Sequence, residues 1–217
     1  MADLVFHYDF LSPYAYIAWT QIHALAERNQ REVKPVATLL PALLKYGGAT
    51  PPVDIPNKRT YAFNDVLRTA RVLGLYVTPP PTHPFNAFVS LRVCSLPHEP
   101  ATLRRIIDAF FKETWGGGRG VESAETVTEI LNGLELPGAA LVARAQSAEG
   151  KDSLRANTDA ATKNGVFGVP TMLADGELFF GYDSFGHLEA FLRGAPRPDP
   201  EQVERWARVK SSVVKAT

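Results

Sequence analysis

Three regimes of apolar patterning follow one another along the chain. Leu4 to Phe10 is an apolar and aromatic run of buried-strand length, and Pro13 to Asn29 then sets Tyr16, Trp19, Ile22, His23 and Ala26 at helical spacing. Glu32 to Leu39 reads as a second strand, which makes the opening a βαβ unit with an expected right-handed crossover. From about Asn57 to Asn164 the period turns helical, with helices expected over Tyr61–Leu73, Asn86–Ser95, Thr102–Thr114, Ala124–Leu131, Ala139–Ala148 and Ser153–Lys163 and no strand signal between them. After Gly165 the strand period returns in Pro170-Thr171-Met172-Leu173 and Leu178-Phe179-Phe180, joined by Ala174-Asp175-Gly176-Glu177 with its Asp-Gly hairpin turn. Ser184 is placed to cap a helix running to about Leu192.

The breaks between helices fall at Pro79-Pro80-Pro81, Gly116-Gly117-Gly118 and Leu136-Pro137-Gly138, and no repeat of fixed period is present. Beyond a Pro-rich link, Val203, Trp206, Val209 and Val213 form one helical stripe expected to pack on the body or on a partner.

Composition narrows the chemistry. With 217 residues, 45% of them hydrophobic, the chain can bury a sizeable core. Lys and Arg together match Asp and Glu at 23 each, so net charge favours neither nucleic acid nor an anionic membrane surface. No charge-free apolar run reaches the roughly 18 residues that span a bilayer, and no basic segment followed by a long apolar one opens the chain, so a cytoplasmic protein is expected. The one cysteine, Cys94, excludes an intramolecular disulfide and Cys-x-x-Cys chemistry; flanked by Val93 and near Leu96, it reads as an inert core thiol. The five histidines show no ligand spacing, so no metal is expected.

Ser12-Pro13 admits two accounts. Serine followed by proline is a common helix start, with the hydroxyl as N-cap and proline at the first helical position. The same helix end presents free N–H groups and partial positive charge, and a hydroxyl there can hydrogen-bond a thiolate brought by another molecule and lower its pKa. Val169-Pro170 is a strand-start proline in its plain reading. Asp183-Ser184 is equally a helix start with an acidic residue beside the dipole. Lys45, Asn57 and Lys58 could be solvated surface groups, and Phe85-Asn86, after Pro79 to Pro84, a rigid loop ending in an Asn cap. The glycines from Trp115 to Gly120 follow no strand and precede no Lys-Ser/Thr, so they form a connector rather than a phosphate loop.

Taken in order, Asp9-Phe10-Leu11-Ser12-Pro13-Tyr14, Leu43-Leu44-Lys45, Pro56-Asn57-Lys58, Phe85-Asn86, Gly165 to Met172 and Phe180-Gly181-Tyr182-Asp183 resemble the 2-hydroxychromene-2-carboxylate isomerases and their relatives, the kappa-class glutathione transferases. These lie in the DsbA-like branch of the thioredoxin superfamily, and the similarity covers about residues 3 to 195. The resemblance implies an α/β thioredoxin-like fold, βαβ then ββα, with a large all-helical insertion: residues 1–56 and 165–217 as the thioredoxin-like domain and 57–164 as the insertion. It implies glutathione as cofactor, an aromatic substrate and a homodimer. By the same resemblance Ser12 is catalytic and binds the glutathione sulfur, a cis Pro170 lets the Val169 backbone face Ser12 and pair with the tripeptide, and Phe180, Gly181, Tyr182 and Asp183 hold its glutamyl end. Lys45, Asn57, Lys58, Phe85 and Asn86 are expected at the substrate. The chain departs at Ser184, where an Arg often follows the Asp. The implied reaction interconverts 2-hydroxychromene-2-carboxylate and trans-o-hydroxybenzylidenepyruvate in the breakdown of naphthalene-like aromatics, with conjugation of glutathione to electrophiles as the alternative.

Overall fold

The computed structural model describes residues 2–210. Four strands, β1 (Ala2–Tyr8), β2 (Arg31–Ala37), β3 (Thr171–Ala174) and β4 (Glu177–Phe180), form one sheet in the order β2-β1-β3-β4. β1 runs parallel to β2 and antiparallel to β3, and β3 runs antiparallel to β4. As an inner strand, β1 is buried on both faces: Leu4, Phe6 and Tyr8 on one, His7 on the other. The β3–β4 hairpin turns on Asp175 and Gly176, both at positive φ, as a two-residue turn of matching twist requires. No strand lies between β2 and β3 among the described residues.

Helix α1 (Pro13–Arg28) connects β1 to β2, and α2 (Leu40–Tyr46), α3 (Pro56–Val72), α4 (Phe88–Ser95), α5 (Pro100–Trp115), α6 (Ala124–Gly133), α7 (Gly138–Gln146) and α8 (Ala148–Lys163) separate β2 from β3. α9 (Phe185–Leu192) and α10 (Pro200–Ala207) follow the hairpin. α2 is absent from the apolar pattern because one buried position, Leu43, is all it shows. α3 starts at Pro56 rather than Tyr61, since its first turn is fully exposed and carries no periodic signal; Asn57 and Lys58 are therefore helical. α8 likewise starts early, its first turn capped by Ser147, whose Oγ accepts from the Glu149 N–H at 3.2 Å.

Two expectations are corrected. Ser184 precedes α9 but does not cap it with its side chain: its hydroxyl donates to the Gly181 carbonyl at 2.8 Å. Of the two packings expected for the tail stripe, the one on the body is not made, because Val203, Trp206 and Val209 are all well exposed, and the one on a partner stays open; Val213 lies outside the described residues.

The main core joins the sheet to the helical block. Phe10 lies edge-on to Phe110 and Phe111 with ring centroids 5.6 and 4.9 Å apart, and Tyr8 packs on Phe111 at 5.7 Å. Truncating such a ring costs on the order of 3–5 kcal/mol, so α5 is fixed against the end of β1 that leads to Ser12. A smaller apolar cluster of Leu43, Ala161, Val166 and Val169 holds the chain just before β3.

Candidate functional site

The turn from Asp9 to Ser12 is held from every side. Asp9 is fully buried, and its carboxylate accepts the Leu11 N–H at 3.0 Å and the Leu40 N–H at 2.8 Å, linking this turn to the start of α2. The Leu11 carbonyl accepts from His83 Nε2 at 2.9 Å, and the Phe10 carbonyl from the Trp115 indole at 2.9 Å. The Ser12 N–H donates to the Asp9 carbonyl at 3.1 Å. Because Nε2 must donate to a carbonyl and burial pushes the His83 pKa down, the ring is neutral with its proton on Nε2 and a bare Nδ1. Burial pushes the Asp9 carboxyl up to about 6, with the two backbone N–H bonds pulling the other way.

Ser12 caps α1: its Oγ accepts from the Ala15 N–H at 3.1 Å and donates to the Val169 carbonyl at 3.3 Å. The second bond is long for O–H···O, and it is the proton a ligand would take over. The Val169-Pro170 peptide is cis. With its side chain buried in the small cluster, Val169 turns its backbone to Ser12, and its N–H has no partner among the described residues.

The hairpin brings the third piece. Thr171 pairs with Phe180, the Gly181 N–H donates to the Pro170 carbonyl at 2.9 Å, and the Phe180 ring lies 4.7 Å from Phe167. A Cβ on Gly168 would stand 2.8 Å from the Phe180 ring, so glycine is what lets that ring lie against the chain before β3. Gly181, at φ 85, admits the Asp183 carboxylate above it, where a Cβ would come within 2.2 Å. Asp183 is exposed and close enough to Tyr14 to help raise its pKa, after burial and the hydrogen bond to Asp65. Tyr14 donates to Asp65 at 2.9 Å, tying α1 to α3. Tyr182 packs its ring on Phe185 at 4.9 Å.

Ser12, Val169 and the Phe180–Asp183 segment are thus neighbours in one group. The remaining expected residues are not drawn into it by any hydrogen bond. Lys45 ends α2, and Asn57 and Lys58 start α3; all three are exposed. Phe85 is buried in the main core and presents no open wall, while the Asn86 side chain accepts the Phe88 N–H at 3.0 Å at the start of α4. Cys94 is buried with its thiol pushed up to about 12, so it offers no thiolate.

The model of the DSBA-like thioredoxin domain matches residues 3–193. The chain belongs to the DSBA-like thioredoxin family. It is 24% identical over 213 residues to glutathione S-transferase kappa 1 of Caenorhabditis elegans, covering 91% of this chain and 93% of that one. It is also 24% identical over 204 residues to a 2-hydroxychromene-2-carboxylate isomerase of Sphingobium xenophagum, covering 86% of this chain and 96% of the relative. A solved 2-hydroxychromene-2-carboxylate isomerase superposes with a TM-score of 0.82 at 22% identity over 96% of this chain and all of that one. This DSBA-like chain therefore has the thioredoxin-like fold that its βαβ and ββα segments predict.

Proposed function

We propose that this protein is a glutathione-dependent isomerase interconverting 2-hydroxychromene-2-carboxylate and trans-o-hydroxybenzylidenepyruvate. The observation that carries the reading is Ser12: a hydroxyl, not a thiol, at the N-terminus of α1, facing the Val169 backbone before a cis proline. A thioredoxin-type exchanger needs a thiolate at that position, and Cys94 is buried elsewhere. The protein's residues fit a thiol tripeptide. The Val169 N–H and carbonyl can pair with its backbone in strand fashion, and the Asp183 carboxylate suits an α-ammonium. The exposed Lys45 and Lys58 suit carboxylates.

The chemistry glutathione supplies when bound is a soft nucleophile for reversible addition to a conjugated double bond, which frees that bond to rotate. The Ser12 proton, released from the Val169 carbonyl, turns to the anionic sulfur. At this end of α1 Pro13 carries no N–H, the Ala15 N–H is held by the Ser12 Oγ and the Tyr16 N–H by the Ser12 carbonyl, so the Tyr14 N–H and the helix dipole supply the partial positive charge. Ser12 donates a hydrogen bond and abstracts no proton, since no His or Asp side chain bonds its Oγ. The clamp on Leu11 and Phe10 keeps that hydroxyl oriented without reorganisation.

A kappa-type transferase conjugating glutathione to electrophiles is the second reading, favoured by the equal similarity to the Caenorhabditis elegans protein. Absorbance of trans-o-hydroxybenzylidenepyruvate followed with and without glutathione tests the proposal. Glutathione-dependent turnover with no thiol consumed is expected; thiol loss with a conjugate accumulating would transfer the assignment to the second reading. A reaction that draws on reduced thiol suits a reducing compartment, and the proposal includes a cytoplasmic homodimer.

A further inference from the structure

A cavity of about 470 Å³ opens between α1 and α5. None of the residues grouped with Ser12 lines it. Tyr16, Trp19 and His23 repeat at helical spacing on one face of α1, Arg104 and Lys112 stand on α5, and Tyr76 closes one side. The Trp19 and His23 rings meet edge to face at 4.5 Å, and Trp19, only 3% exposed, anchors this floor in the main core, leaving Tyr16 and the exposed Tyr76 as the accessible rings.

Its charge is unbalanced. Asp108, one turn from each of the two cations, is engaged by the Trp19 indole N–H at 2.6 Å. Neither Arg104 nor Lys112 forms an ion pair with a described residue. Burial first, then Arg104, push His23 down to about 4, so its ring is neutral at pH 7 and adds no third cation. Its Nε2 is buried without a partner among the described residues. Two cations against one carboxylate leave a single excess positive charge beside the accessible rings. The volume falls within the range of small-molecule pockets, roughly 300–1,000 Å³.

We infer that the α1–α5 cavity is a binding site for a planar aromatic monoanion, its ring against Tyr16 and Tyr76 and its carboxylate on Arg104 or Lys112. The site is separate from the Ser12 group and does not depend on its chemistry.

Calorimetric titration of the full chain with 2-naphthoate tests this, with 2-naphthylmethanol as the uncharged counterpart. Saturable 1:1 binding of the acid is expected, at least tenfold tighter than the alcohol. The Arg104→Gln/Lys112→Gln double variant should weaken it at least tenfold, and Ser12→Ala should leave it unchanged. Both cations are exposed, so the double variant is expected to fold, with circular dichroism as the check. The inference is overturned by absence of saturable binding, including the case in which a second copy of the chain covers the groove. It is equally overturned if acid and alcohol bind alike, or if Ser12→Ala rather than the double variant abolishes binding.

Discussion

Asp9 does two things that pull against each other. Its carboxylate pins the Ser12 turn and the start of α2 through two backbone N–H groups, yet burying it raises its pKa from 3.8 to about 6. Between those values the folded chain holds a proton that the unfolded chain has released. The group's favourable contribution is therefore full below about pH 4 and is lost as the pH rises through 6, a change worth roughly 3 kcal/mol. His7, which burial lowers from 6.5 to about 4, works in the opposite direction: its contribution is present above 6.5 and lost as the pH falls through 4. Urea midpoints of wild type and Asp9→Asn from pH 4 to 7 separate the two, because the variant removes the Asp9 titration alone. The stability difference, wild type minus variant, is expected to fall across this window; a flat difference would contradict the assignment. The structural half of Ser12's role was legible in the sequence because an N-cap is local, bonding three residues ahead. The turn's other supports were not: Asp9 to Leu40, His83 to Leu11 and Trp115 to Phe10 bridge 31, 72 and 105 residues, and no spacing rule reaches that far.

At the scale of elements, the candidate site depends on the β3–β4 hairpin lying flush against the segment before it. Gly168→Ala would push a methyl into the Phe180 ring, displacing that ring while leaving the Ser12 turn untouched. Glutathione affinity, read by calorimetry, is expected to fall about tenfold, near 1.4 kcal/mol, with little change in thermal stability. An unchanged affinity would remove Phe180 from the site. The hairpin itself was legible, because Asp175-Gly176 supplies the two positive φ values the turn demands. The starts of α3 and α8 were not, because their first turns are mostly exposed and an apolar period cannot show where nothing is buried. Asn57 and Lys58 therefore ride on a helix braced to α1 through Tyr14 and Asp65 rather than on a free loop.

For the whole molecule, the fold was readable from the order of its periods, strand, helix and strand again, whereas the docking of the last helix was not. Trp206 is 80% exposed, so Trp206→Ser is expected to change monomer stability by no more than about 0.5 kcal/mol. If α10 carries a dimer contact, the same variant shifts the sedimentation equilibrium towards monomer; a dimer unaffected by it forms elsewhere. The central claim is that a protein hydroxyl and a distant backbone jointly stabilise a thiolate that the chain itself does not supply. Ultraviolet titration of glutathione thiolate in the presence of excess protein tests it most directly. The account predicts a thiol pKa at least one unit below that of a free thiol, about 8.5, and its return towards that value in Ser12→Ala. An unshifted pKa with wild-type protein, or a shift that survives the loss of the hydroxyl, would contradict it.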